Sequence, residues 1–182
     1  MEYNNPSQSS VAFKWTLFSF FTSVILTYGF QFAGISQTSP LKYFTLIPYI
    51  AFLFLAQKEY RDKLGGFMTY GQGFMTGFLF AVYTGIFSAV FIFIYYKFLS
   101  PAVHEEVIKN MRDQMISKGT PEESVDSVLG ITGSVTFLTI ATLIGGIISG
   151  TIIALIGAAI FKKDRPPVLI SDNDGDTTEP TV

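Results

Sequence analysis

Long stretches without a charged residue alternate with short charged clusters, and the clusters divide the chain into four apolar segments. The first runs from Trp15 to Leu41, with its apolar body at Leu17 to Ile35. A helix needs about 20 residues to cross a hydrocarbon core of about 30 Å, and this segment has them. Its apolar body is longer than the roughly 7–15 residues of a secretory signal and has only Lys14 beside it, so it reads as a retained helix. The second segment is short. Only the residues between Lys42 and Lys58 are uncharged, roughly 22 Å of helix at 1.5 Å per residue. Ser39-Pro40 has the form of an N-cap and first-turn proline, which lets the helix begin before Lys42. Pro48 is expected to kink it mid-span by removing a backbone hydrogen bond.

The third segment opens with a Gly-rich stretch, Leu64 to Phe74, placed at or entering through the interface. Its body, Phe74 to Phe98, ends in Tyr95, Tyr96 and Lys97, the aromatic and basic residues of a membrane–water belt. The fourth falls within Val135 to Phe161 and stops at Lys162-Lys163. The pattern therefore predicts an all-α, polytopic membrane protein: a four-transmembrane-helix bundle with spans at about 15–36, 40–57, 70–98 and 134–161.

Between spans three and four lies a polar stretch with its own helical signals. Ser100-Pro101 marks a start and Lys118-Gly119 a stop. Val103, Val107, Ile108, Met111 and Met115 form one apolar stripe, and Glu105–Lys109 is a favourable i,i+4 pair. Thr120-Pro-Glu-Glu123 has the form of a capping box opening a second short helix, which can run through Val125, Val128 and Leu129 into span four. The expectation is an extramembrane helical elbow, about 101–118 and 121–130, with Met111 and Met115 as adaptable contacts for a partner. Residues 1–10 and 164–182 read as disordered tails around the membrane domain of residues 11–163. In the acidic C-terminal tail, Asp172-Asn-Asp-Gly-Asp places its glycine two positions too early for an EF-hand loop and lacks flanking helices, so it reads as solvated chain.

Composition narrows the chemistry. Charged residues make up 14% of the chain against about a quarter in soluble domains, which agrees with a membrane location. A net charge of -2 offers no basic face for nucleic acid. With no Cys there is neither disulfide nor thiolate chemistry. Spans of even number put both termini and the loop between spans two and three on one side, together with Lys14, Lys58, Arg61, Lys63, Lys162, Lys163 and Arg165. Lys42, Lys97, Lys109, Arg112 and Lys118 fall on the other side. The bias favours cytoplasmic termini.

Two rows of small residues are the clearest patterned signal. Gly73, Gly77, Ala81, Gly85 and Ala89 recur at intervals of four in span three. Gly146, Gly150, Ala154 and Ala158 do so in span four, preceded on that row by Ser134 and Thr142. Such ridges let backbones approach closely, and they serve either packing between spans three and four or a dimerisation face. Among the few polar residues within the spans, Gln31 and Gln72 are candidates for lining a small polar cavity, with helix–helix glue as the plainer role. No ionisable residue falls near mid-membrane, where proton- and voltage-coupled machines place theirs. His104, beside Glu105 and Glu106, lacks the converging ligands of a zinc site, and no serine sits in a nucleophile elbow. No catalytic, cofactor-binding or metal-ligating residue is assigned.

Lys58-Glu-Tyr-Arg-Asp-Lys63, Gly65-Gly66, Tyr70-Gly-Gln-Gly-Phe74 and Gly77 together resemble an uncharacterised bacterial membrane family, catalogued as a four-span domain of unknown function. The resemblance covers about residues 11–163. It implies a bacterial cytoplasmic (inner) membrane location and carries over no activity. The expected role is a non-enzymatic accessory, scaffold or assembly subunit, partnered by the bilayer and by another membrane protein or a second copy. The alternative is a passive pore or small-solute facilitator formed by oligomerisation, in which Gln31, Gln72 and the hydroxyl residues share a lumen.

Overall fold

The computed structural model describes residues 6–34 and 40–164. These form six α-helices: α1 (Gln8–Phe32), α2 (Leu46–Lys63), α3 (Tyr70–Ile94), α4 (Pro101–Ser117), α5 (Glu122–Thr132) and α6 (Val135–Phe161). A 3-10 segment, Pro40–Thr45, leads into α2, and a π-helical turn, Tyr95–Leu99, extends α3. Among the described residues the only β pairing is an isolated bridge between Met68 and Lys163. The acidic stretch beyond Asp164, with Asp172 to Asp176, lies outside the described residues.

Helix α1 starts earlier than the charge pattern implies. Ser7 caps it by accepting from the Ser10 amide, and Val11 and Ala12 are fully packed, so residues 8–10 belong to the bundle rather than to a tail. Pro48 does not fall in the middle of α2. It occupies the third position of the helix, where the proline's missing N–H leaves no intrahelical bond unmade. The Gly65-Gly66 pair closes α2 in a Schellman motif: both residues have φ near +80 to +90°, and their amides donate to Asp62 O and Arg61 O. Thr69 and Gln72 then open α3 with a reciprocal capping box.

Residues 101–134 differ from the expected helical elbow in two places. Thr120 is not the N-cap of α5. Its amide donates to Met115 O while that of Gly119 (φ 84°) donates to Ile116 O, so Thr120 completes the Schellman ending of α4. Helix α5 begins at Glu122 behind Pro121. Nor does α5 run on into α6. The chain breaks at Gly133, and Ser134 caps a new helix by accepting from the Phe137 amide. An Arg112–Asp126 ion pair joins α4 to α5, and Val125 and Leu129 are buried.

Helices α1, α2, α3 and α6 pack against one another, with α1 and α3 running one way and α2 and α6 the other. The α1 and α3 starts and the α2 and α6 ends meet at one end. Gln8 Nε2 donates to Gln72 O at 3.3 Å, and Met68 and Lys163 exchange two backbone bonds of 2.9 Å. The small residues of α3 and α6 face each other in antiparallel register. A methyl added at Gly73 would meet Ala158, one at Gly77 would meet Ala154, one at Gly150 would meet Ala81, and Gly146 faces Gly85. These two helices approach backbone to backbone. Helix α1 instead rests on α3 through rings: Phe13 on Tyr83 and Phe87, Phe20 on Phe87 and Phe91, and Tyr28 on Tyr95.

The outer face of α6 carries Ile140, Ile144, Ile148, Ile152, Ile156 and Ile160, each at least half exposed. An isoleucine ridge of this length is an uncovered apolar patch that water does not tolerate on a soluble monomer. Among the described residues, α1, α3 with its extension to Leu99, and α6 are long and apolar enough to cross a membrane.

If the α3–α6 contact holds the bundle, Gly77→Ala and Gly150→Ala each lower stability by about 1–3 kcal/mol through overpacking. Gly145→Ala, with nothing within 4 Å of the new methyl, leaves it unchanged or raised. Thermal unfolding in detergent reads all three, and equal melting temperatures would remove the contact from its central place.

Candidate functional site

One polar side chain lies in the middle of the packed half of the bundle. Gln57, on α2, is fully buried, and its Nε2 donates to Gly73 O at 3.0 Å and to Ala154 O at 2.9 Å. One amide thus ties α2 to both α3 and α6. Its Oε1 has no partner and occupies the place a Gly157 methyl would take. Gly77 leaves room for Nε2 in the same way, its absent methyl falling 2.7 Å from that atom. The two carbonyls fix the amide's orientation, since a flipped group would set an oxygen against two acceptors. Ala12, Leu53, Ala56, Phe80 and Ala154 form one fully buried hydrophobic cluster in the same half of the bundle.

Towards the other end the packing opens. A cavity of about 410 Å³ lies among α1, the start of α2, α3 and α6. Rings from Phe20, Tyr49, Phe91, Tyr95 and Tyr96 form part of its wall, and Gly85 and Gly146 form its floor beside the last small-residue contact. Hydroxyls complete it. Those of Thr27 and Thr142 turn back onto the carbonyls four residues earlier, while Tyr95 donates to Gln31 Oε1 at 2.9 Å. No carboxylate, imidazole, amine or guanidinium lines it.

At the closed end sits a polar rim. Glu59 accepts from Trp15 Nε1 at 2.7 Å and from Lys63 at 3.0 Å, and it pairs with Lys14. Arg61 lies over the Phe161 ring and Lys163 over Phe67. Partial burial pushes the Glu59 carboxyl up, but hydrogen bonds from Lys14, Lys63 and Trp15, with the Lys14 charge, outweigh it and hold the group below its ordinary value.

Gly73, Gly77, Ala81, Gly85, Gly146, Gly150, Ala154 and Ala158 come together along the α3–α6 seam, so their faces are occupied within the chain. Gln31 and Gln72 do not come together. Gln31 ends α1 beside Tyr95, while Gln72 caps α3 at the opposite end, about 34 Å away along α3 at 1.5 Å per residue. They share no cavity. Met111 and Met115 stand half-buried on α4, and His104 holds Gly133 O at 2.8 Å. Sequence reasoning missed Gln57 because Lys58 follows it and marks an interface. Its position in the row Leu53, Ala56, Gln57, Tyr60, Leu64, which has core spacing, was the available signal.

The sequence profile of a family described as protein of unknown function (DUF4199) matches residues 12–163. The chain belongs to the DUF4199 family. The match takes in α1 from Ala12 onward and the other five helices, and it ends at Lys163 of the Met68–Lys163 bridge. No curated protein and no solved structure matches the chain.

Two outcomes test this site in the DUF4199 domain. Gly157→Ala forces a methyl onto the Gln57 oxygen and destabilises the native protein, but it costs much less in a Gln57→Ala background, where that space is vacant. The double-mutant cycle should show a coupling of about 0.5–3 kcal/mol, and strict additivity would refute the contact. The Glu59 pKa is lowered on folding, so its contribution is present above its ordinary unfolded value and is lost as pH falls through the folded one. Unfolding followed from pH 7 down to about 3 should show an acid-induced loss, across the ordinary carboxylate range near 4.3, that Glu59→Gln reduces.

Proposed function

We propose that this DUF4199 protein crosses the bacterial cytoplasmic membrane four times, with both termini in the cytoplasm, and works without catalysis as an accessory or scaffold subunit. The observation that carries this is the accounting of its polar and small residues. The α3–α6 seam and the Gln57 amide are occupied inside one chain, the α6 isoleucine ridge suits lipid, and the α4–α5 hairpin is the largest element outside the bundle. The fourth crossing rests on length. Six 3-10 residues at about 2 Å and twelve α-helical residues at about 1.5 Å carry Pro40 to Gln57 across about 30 Å, a full hydrocarbon core. Charges at the end of α2 then stand at the rim with Lys14, Lys162 and Lys163, where cationic side chains meet anionic lipid heads.

A non-enzymatic role accords with the cavity wall, which carries no carboxylate, imidazole or amine to serve as general acid or base. In this reading Met111 and Met115 on α4 meet the partner. The cavity also favours a second reading, a passive facilitator. Because Leu53, Phe80 and Gln57 fill the other half of the bundle, a conducting path would have to form between copies.

The chain has no Cys, so single cysteines report topology directly. With an impermeant maleimide on intact spheroplasts, Lys118→Cys should label and Lys58→Cys should label only after permeabilisation. Labelling of both from outside would overturn the four-span arrangement. A photo-crosslinker placed at Met111 should capture one defined heterologous membrane protein. Capture of the chain by itself alone would favour the facilitator and direct attention to flux measurements.

A further inference from the structure

The cavity has a chemical character of its own. At about 410 Å³ it falls within the roughly 300–1,000 Å³ of small-molecule sites. It is about as large as roughly 14 waters at about 30 Å³ each, yet much of its wall is aromatic or aliphatic. Four of its hydroxyls, Ser23 on α1, Tyr49 on α2, Ser88 on α3 and Tyr96 on the π-helical turn, make no side-chain hydrogen bond to another described residue, unlike those of Thr27 and Thr142. These hydroxyls are not sealed inside the protein, so they can donate to or accept from an occupant of the cavity that carries oxygen or nitrogen atoms. A charged occupant would find no counter-ion in the lining, which disfavours it there. Rings of Phe20, Phe91 and Tyr95 offer edges and faces to a flat ring.

We propose that this cavity binds a neutral, ring-bearing amphiphile with carbonyl or hydroxyl oxygens, the chemistry of a lipid-soluble quinone or phenol. The ring lies among the aromatic side chains, and its oxygens meet the Tyr49 and Ser88 hydroxyls. Gly85 and Gly146 make the room, since side chains there would fill the floor. The site is independent of whether the hairpin engages a partner protein.

The test uses the full chain in detergent and a benzoquinone carrying a decyl chain as probe. The native protein should show a saturable rise in melting temperature with probe concentration. Tyr49→Phe removes one hydroxyl and nothing else, and should weaken binding about fivefold, the effect of one net hydrogen bond. Ser88→Leu fills part of the cavity and should weaken binding about tenfold or more. Ser88 lies outside the α3–α6 seam and the Gln57 contact, and although the Tyr49 hydroxyl reaches the seam beside Gly150, Tyr49→Phe adds no atom there, so both variants should fold. Should Ser88→Leu not fold, Tyr49→Phe decides alone. A rise that does not saturate, or that is the same in native and Tyr49→Phe proteins, would overturn the site. Decanol binding as tightly as the quinone would overturn the assignment of a ring.

Discussion

Two helices bring their backbones together only where neither places a side chain between them, and the rest of this bundle is arranged around the one seam where that happens. Along α3 and α6, glycine and alanine at every fourth position face their counterparts in antiparallel register. Between helices in lipid there is little hydrophobic gain, so van der Waals contact and occasional hydrogen bonds must hold them, and both improve as the backbones close. Close approach also brings main-chain carbonyls of α3 and α6 within reach of a third helix. Gln57 exploits this: its amide reaches Gly73 O and Ala154 O together only because the seam has drawn those two carbonyls near each other. The missing methyls at Gly77 and Gly157 admit the amide. The position of α2 is thus a consequence of the α3–α6 contact.

The cavity follows from the opposite choice on the other side of α3. There α1 is held off by Phe13, Phe20 and Tyr28 against Tyr83, Phe87, Phe91 and Tyr95. Ring-to-ring spacing keeps two helices farther apart than glycine-to-alanine spacing does. In the closed half, α2 fills the resulting gap with Leu53, Ala56 and Gln57. In the other half, α2 has given way to its 3-10 lead, and α1, α3 and α6 present Ser23, Thr27, Ser88 and Thr142, too small to meet across the gap. Void and seam arise from the same residue classes placed at different distances.

Much of this was legible in the charge and hydropathy pattern. The α3 and α6 segments stand out as uncharged runs, and intervals of four in small residues mark the seam, although not whether its partner lies within the chain. What stayed hidden depends on which side of a boundary a residue falls. Gln57 sits one residue before a lysine, and linear reading assigns such an amide to the interface; only the packing of α2 against α3 and α6 buries it. Pro48 lies mid-way between two lysines, but the α-helix begins at Leu46, which moves it into the first turn. Thr120 matches a capping box in sequence, yet its amide is taken by the Schellman closure of the preceding helix, and a residue finishing one helix is poorly placed to start the next. The pairing of Gln31 with Gln72 failed for a simpler reason: the two lie near opposite ends of the bundle, a separation that residue type alone does not reveal.

The cavity and the hairpin are physically joined, which bears on how a contact at one is felt at the other. Tyr95 and Tyr96 line the cavity from the π-helical turn that ends α3. A π turn widens the helix and displaces its side chains from the α-helical register, and such turns recur at functional sites. The Tyr96 ring packs against that of His104 in the first turn of α4, with centroids 5.5 Å apart, and His104 Nε2 lies 2.8 Å from Gly133 O where α5 gives way to α6. A shift of Tyr96 away from the cavity would therefore press on the imidazole that fixes both ends of the hairpin. Two sites connected by contiguous packing are coupled only where the intervening element has two arrangements. The π turn is the one segment of α3 whose hydrogen bonding departs from the α-helical pattern, and so it is the element at which a second arrangement would have to be sought.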